Sequence, residues 1–155
     1  MTSHRSRRAT PIRLAALVAA GSLVLASCGE HREAVYPVQG KVLFHNQPAQ
    51  HATVIFHPQG GSEEVQKMRP HGTVDAEGNF ALTTFDPDDG APAGDYRVTV
   101  VWPGESREDA MDAEDPEHVP SGPDRLQKRY KDPQTSGLSA TVSEGPNQLE
   151  PFQLQ

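Results

Sequence analysis

The chain has 155 residues, with 14 lysines and arginines against 21 aspartates and glutamates and a formal net charge of −7. This length is enough for one small domain with a core, and not for two. The acidity argues against nucleic acid as a partner, because nucleic-acid binding requires basic patches. The 13 glycines and 14 prolines favour many turns and short strands over a helical bundle.

The first 27 residues have the organisation of an export signal. Residues 1–13 are polar and basic, and residues 14–25 are almost wholly apolar. An apolar run of about twelve residues is too short to span a bilayer as a helix and is typical of a signal peptide. The pair Arg7-Arg8 leaves twin-arginine export open beside the general secretory route, although Ala9-Thr10-Pro11 lacks the apolar residues expected after such a pair.

The apolar run ends in Leu25-Ala26-Ser27-Cys28, which resembles the bacterial lipobox. The resemblance implies that Cys28, the only cysteine, begins the mature protein and carries the lipid, because its thiol accepts the diacylglyceryl group. An ordinary secretory signal followed by a buried core cysteine is the alternative. Durable anchoring takes more than one acyl chain, and the lipobox resemblance implies several. By analogy with lipoprotein sorting, Gly29 favours the outer membrane, and residues 28–35 form a short tether.

Period-two alternation of apolar residues, bounded by Gly, Pro, Asn and Asp, predicts an all-β domain of about seven strands over residues 36–155. This pattern is typical of an Ig-like or transthyretin-like sandwich. The predicted strands are 36–45, 52–57, 71–75, 79–85, 95–102, 137–143 and 148–154. The predicted core residues are Val38, Val42, Phe44, Val54, Phe56, Phe80, Leu82, Tyr96, Val98, Val100 and Trp102.

The segments between the strands carry turn signals. Asn46-Gln47-Pro48 is predicted as a turn, residues 59–69 as a polar loop, and Ala76-Glu77-Gly78 as a hairpin turn with Gly78 at positive φ. Residues 104–123 contain seven acids and one arginine and are predicted as a mobile loop, because they cannot bury enough apolar surface. Residues 124–131 are predicted to form a helical turn.

The segments 38–42 (VQGKV), 52–56 (ATVIF), 72–80 (GTVDAEGNF) and 90–98 (GAPAGDYRV) resemble carboxypeptidase regulatory-like and transthyretin-like domains. They are most similar to the short lipoproteins of planctomycete-type bacteria that carry such a domain. The resemblance covers roughly residues 36–154 and implies a non-catalytic, extracytoplasmic sandwich. Transthyretin-like hydrolases of 5-hydroxyisourate end in Tyr-Arg-Gly-Ser, whereas this chain ends in Pro-Phe-Gln-Leu-Gln, so a hydrolase is a remote alternative.

Four aspartates are the weak candidates for a cation site. They lie in or beside the Gly/Pro-rich loop of residues 86–94, and carboxylate oxygens suit calcium. Their spacing does not follow an EF-hand loop, and the alternative is that they form turns. The four residues are Asp86, Asp88, Asp89 and Asp95.

Histidines and serines provide no clearer chemistry. His45, His51 and His57 are spaced by six, and His71 is predicted on a neighbouring strand, without the short ligand spacings of a zinc site. The serines show no G-x-S-x-G elbow, so we predict no catalytic residue and no cofactor. The sequence thus predicts a lipid-anchored structural or interaction module of the cell envelope, with a protein or glycan partner. A small-ligand or calcium-binding module is the alternative.

Overall fold

A computed structural model describes residues 32–106 and 120–155. Cys28, the predicted export signal and residues 107–119 of the predicted acidic loop lie outside the described residues, so the expectations for them stay predictions. The described part contains nine strands and one short helix, α1 (Glu63–Lys67). The strands are β1 (Val38–Phe44), β2 (Gln47–Pro48), β3 (Thr53–Pro58), β4 (His71–Thr73), β5 (Asn79–Ala81), β6 (Gly94–Val101), β7 (Leu138–Val142), β8 (Asn147–Gln148) and β9 (Phe152–Leu154).

The strands form two sheets in a sandwich-like arrangement, as the all-β prediction requires. In the first sheet, β1 pairs antiparallel with β2 and β5 and parallel with β8 and β9. The second sheet is antiparallel throughout, in the order β4-β3-β6-β7. Within residues 32–106 and 120–155, no helix has the length and apolarity that crossing a bilayer requires.

The alternation of β6 positions the core. Its Tyr96, Val98 and Val100 are buried, and Trp102 continues the row just beyond the strand. Because successive side chains of a strand point to opposite faces, this row forms one continuous apolar surface. All the predicted core residues are buried except Phe44, which is half-buried and packs against the core. The core also contains side chains that the alternation did not select: Ala49, Ala52, Val74, Ala91, Leu126, Tyr130, Val142, Phe152 and Leu154.

The predicted hairpin between β4 and β5 is only partly correct. The turn exists, with Gly78 at a φ of 87°, and the Asp75 N–H donates to the Asn79 carbonyl at 2.8 Å. However, β4 pairs with β3 and β5 pairs with β1, so the two arms belong to different sheets. Local turn residues specify the reversal of the chain, whereas the sheet that each arm joins is decided by distant partners.

Two loop predictions and the strand count also need correction. Gln47 and Pro48 belong to β2, and the reversal lies at His45 and Asn46, both with positive φ. The polar loop contains α1, whose start is capped by the Ser62 hydroxyl. The last predicted strand is divided into β8 and β9, which together with β2 raises the number from seven to nine short strands.

The predicted helical turn at residues 124–131 is irregular. Gln127 and Lys128 have φ values of 51° and 65°, which a right-handed helix does not accommodate. The Asp124 carboxylate instead accepts hydrogen bonds from the N–H groups of Trp102, Leu126 and Lys128. The segment nevertheless buries Leu126 and Tyr130, the apolar pair that suggested it.

We expect Val98→Asp to prevent folding, because Val98 is fully buried and an unpaired buried carboxylate costs several kcal/mol. Far-ultraviolet circular dichroism and thermal unfolding measure this. Ser139→Asp is the matched control, since Ser139 is exposed on β7 directly opposite Arg97 and should tolerate the charge. A Val98→Asp protein with an ordinary unfolding transition would contradict the strand register.

Candidate functional site

The N-terminal segment meets the domain at one end of the sandwich, which we call the entry end (residues 32–37, 58–68 and 84–96). Tyr36 and Ala91 exchange two backbone hydrogen bonds of 2.9 and 3.0 Å. The Ser62 hydroxyl donates to a carboxylate oxygen of Glu33 at 2.7 Å. The chain is therefore attached to this end from its first described residues onward.

Gly90 is required for this attachment. Its φ is 99°, and a Cβ at this position would lie 1.7 Å from the carbonyl oxygen of Tyr36. Only glycine combines a left-handed backbone with so close an approach. The Gly90 N–H also donates to the Leu82 carbonyl at 2.8 Å. Gly90 thus links the N-terminal segment to Leu82, a residue of the core.

Asp89 holds the loop of residues 84–89 in one conformation. Its carboxylate accepts hydrogen bonds from the N–H groups of Thr84, Phe85 and Asp86, at 2.7, 3.0 and 2.9 Å. Partial burial opposes ionisation of Asp89, but these donors together lower its pKa below the usual value. The carboxylate thus fixes the backbone of three successive residues that precede it in the loop.

The structure does not bring the four candidate aspartates together around one point. Asp86 pairs with Arg32 at 3.5 Å, and Asp88 uses its backbone N–H to bond the Thr83 hydroxyl. Asp95 lies on β6 and accepts from the Thr141 hydroxyl of β7 at 2.7 Å. In the described residues, no three His, Cys, Asp or Glu side chains are placed to share a metal ion.

Phe85 is the one large hydrophobic side chain that is exposed among the described residues, at 38%. It lies in the loop that Asp89 brackets, and the Arg32 guanidinium is 5.4 Å from its ring centroid. The sequence pattern assigned Phe85 only to the end of a strand. Its exposure follows from the early end of β5 at Ala81, which leaves residues 84–89 outside both sheets.

Tyr96 is a second feature of the entry end whose role the sequence did not reveal. Its ring belongs to the core, and its hydroxyl donates to the Pro92 carbonyl at 2.7 Å. Burial raises the pKa of Tyr96 to about 12. The hydroxyl therefore stays protonated and fastens the loop before β6. No local signal marks this bond, since it depends on the path of the loop.

The histidines are dispersed. His45 and His51 lie in turns with positive φ, and the His71 ring contacts the Arg69 carbonyl at 3.2 Å. His57 is half-buried on the outer face of the second sheet, with its Nε2 2.9 Å from the Thr99 hydroxyl. Burial, and secondarily the charge of Arg69, lower the pKa of His57. The neutral ring is thus favoured and suits its hydrogen bond.

The second sheet ends in β7, which is an edge among the described strands. The Gln59 N–H donates to the carbonyl of Asp95, an odd-numbered residue of β6. Because backbone groups alternate in direction along an antiparallel strand, those of odd-numbered β6 residues point towards β3 and those of even-numbered residues point towards β7. Leu138 and Ala140 pair with the even-numbered residues Val98 and Tyr96, so their backbone groups point towards β6. The N–H and C=O groups of Ser139 and Thr141 therefore point away from β6. A shallow cleft of about 410 Å³ runs beside them.

The β4 edge of the second sheet is more enclosed than the β7 edge. At the opposite end of the second sheet, His71 of β4 exchanges backbone hydrogen bonds with Thr83 at 3.1 and 2.8 Å. In the first sheet, β9 pairs with β1.

Comparison with models of protein families, with curated proteins and with solved structures found no match.

We expect Asp89→Asn to destabilise the domain by about 1–2 kcal/mol at neutral pH, because the amide offers one weaker acceptor to three N–H donors. Since the folded-state pKa of Asp89 is lowered, its stabilisation is complete above the unfolded-state pKa. It is lost as the pH falls through the folded-state value, so the difference between wild type and variant should shrink in acid.

Denaturant unfolding at a series of pH values measures this difference. Asp88→Asn is the matched control, because Asp88 contributes its backbone N–H to the loop and has a positive φ that asparagine also accepts. Equal stability of the two variants across the pH range would show that the Asp89 bracket is not what holds the loop.

Proposed function

We propose that the protein is a lipid-anchored, extracytoplasmic β-sandwich module with a non-catalytic, structural or protein-interaction role at the bacterial cell envelope. The lipid is carried by Cys28, and the sandwich is of the Ig-like or transthyretin-like kind, as in carboxypeptidase regulatory-like domains. The observation that carries the proposal is the attachment of the chain to the domain from Arg32, four residues after Cys28. A short tether couples the domain closely to its anchor.

The perturbed ionisable groups support a structural role for the polar side chains. Asp75 has a lowered pKa because hydrogen bonds from Asn79 and Glu77 outweigh its burial, and these bonds close the turn before β5. Asp89 and Tyr96 hold loops in the same way. Displaced pKa values at catalytic sites serve proton transfer or nucleophilic attack. In these three residues, the polar atoms are instead engaged in holding turns.

The edge strand β7 supports a role in protein contact. Its sequence, Leu-Ser-Ala-Thr-Val, has no charge and no proline, the two devices that usually protect an exposed edge. An extended partner segment can add to such an edge through main-chain hydrogen bonds, and side-chain pockets then supply specificity. The cleft beside β7, lined by Gln59, Asp95 and Arg97, would receive side chains of that segment.

We expect Cys28→Ala to move the protein from the membrane fraction to the soluble fraction and to abolish incorporation of labelled fatty acid, because the thiol that accepts the lipid is gone. Fractionation of cells expressing the full chain measures this. Ser27→Ala is the matched control, since it keeps a small residue before the cysteine. An unchanged membrane fraction for Cys28→Ala would overturn the lipid anchor.

We expect Ser139→Pro to reduce binding of an envelope partner at β7 while the domain stays folded, because the lost N–H points away from β6. In-cell photocrosslinking from position 141, followed by mass spectrometry, measures recovery of one recurrent partner. Ala140→Pro is the comparison variant, since its N–H points towards Tyr96 of β6 and its loss should destabilise the domain. An undiminished crosslink in folded Ser139→Pro protein would show that β7 is not the contact edge.

A further inference from the structure

We infer that the entry end of the sandwich faces the lipid bilayer and that Phe85 is the side chain that enters the bilayer interface. This inference rests on the proposed anchor at Cys28 and adds to it an orientation of the domain. The surface that the entry end contacts is the interfacial region of a neutral, zwitterionic lipid bilayer.

Covalent reach limits which part of the domain can touch the membrane. Arg32 follows Cys28 by four positions, and each step spans at most about 3.6 Å, so the tether reaches about 14 Å at full extension. Phe44 follows Tyr36 by eight positions of extended chain, which is about 26 Å at about 3.3 Å per step. The entry end lies within reach of the bilayer, whereas the β1–β2 turn lies well beyond the tether.

The chemistry of the entry end matches an interface. Phe85 is exposed beside Arg32, whose guanidinium lies over its ring and pairs with Asp86. An aromatic ring next to a cationic side chain suits the boundary between headgroups and acyl chains. The exposed aromatic ring and the first attached residue of the tether are therefore in direct contact with each other.

Phe85 is also presented by a rigid loop. The Asp89 carboxylate fixes the backbone N–H groups of Thr84, Phe85 and Asp86. The Thr84 hydroxyl donates to the Gly90 carbonyl at 2.6 Å. A side chain on a fixed backbone loses less conformational freedom on insertion than one on a mobile loop tip.

The charge around Phe85 selects the kind of lipid. Exposed carboxylates lie at the entry end, and they would be repelled by an anionic surface. The acidic residues are Glu63, Glu64, Asp86 and Asp88. Contact with zwitterionic lipid carries no such penalty. Because the lipid at Cys28 already holds the domain at the membrane, a contact that is weak in free solution is sufficient to orient it.

The test uses the full chain, lipidated in a bacterial host and reconstituted into phosphatidylcholine vesicles that contain a nitroxide-labelled lipid. Since Cys28 is the only cysteine and its sulfur is consumed by the lipid, an introduced cysteine is the sole reactive thiol. Pro87→Cys places a fluorophore two residues from Phe85, and Gln47→Cys places it in β2, paired with the far end of β1. Phe85→Ser is then added to the Pro87→Cys protein.

We expect the fluorophore at position 87 to lose most of its emission to the lipid-borne quencher and the one at position 47 to lose little. Phe85→Ser should restore much of the emission at position 87, while flotation with the vesicles stays unchanged. If the protein floats and both positions are quenched equally, the anchor stands and the orientation is wrong. If the full chain fails to float, the anchor is wrong and the orientation falls with it.

Discussion

The two sheets are joined through the ring of Phe56. This side chain is fully buried on β3, and its centroid lies 5.5 Å from Tyr96 and 6.4 Å from both Phe80 and Phe152. Those rings belong to β6, β5 and β9, so one side chain contacts strands of both sheets. Aromatic pairs at these separations contribute about 0.5–1.5 kcal/mol each beyond the area they bury. The spacing of the layers, and therefore the placement of every loop at the entry end, depends on this contact.

The backbone accommodates the aromatic cluster at a particular position of β1. Gly40 lies opposite Phe80, and a Cβ there would approach the Phe80 ring to 2.6 Å. The inward face of β1 thus has a gap in its apolar row that the neighbouring ring fills. A glycine within a strand marks a close approach of this kind. Phe80 occupies the space that a larger β1 side chain would take, and its ring stacks on Phe152 with the centroids 6.1 Å apart.

The sequence was a good guide to whatever depends on neighbouring residues and a poor one to whatever depends on distant contacts. Alternation found the buried faces of β1, β3 and β6, because period two follows directly from strand geometry. Alternation did not reveal that Thr99, on the face of β6 opposite Val98 and Val100, is only 2% exposed. The hydrogen bond between the Thr99 hydroxyl and the His57 ring, which joins neighbouring strands, was not visible in the local pattern.

At the candidate site, too, the sequence predicted what neighbouring residues determine and missed what distant contacts determine. Aspartate in a Gly/Pro-rich loop pointed to turn formation or to calcium, and the turn alternative describes Asp89, whose carboxylate bonds three successive backbone N–H groups. Exposure of Phe85 and the direction of the β7 edge depend on where strands end and which neighbours they have. Those are properties of the assembled sheets, in which β5 pairs with β1 and β7 with β6, strands about forty positions apart along the chain.

The parallel pairing of β1 with β8 and β9 has a mechanical consequence. The chain enters at the start of β1 and leaves at Leu154, which is paired with Phe44 at the other end of that strand. A force applied between the two ends of the domain therefore acts along the strands and strains their hydrogen bonds together. Those bonds include Asn147 N–H to the Pro37 carbonyl and Leu149 N–H to the Gln39 carbonyl. Shearing a set of bonds at once takes more force than peeling them singly, so this pairing resists tension applied between the two ends of the domain.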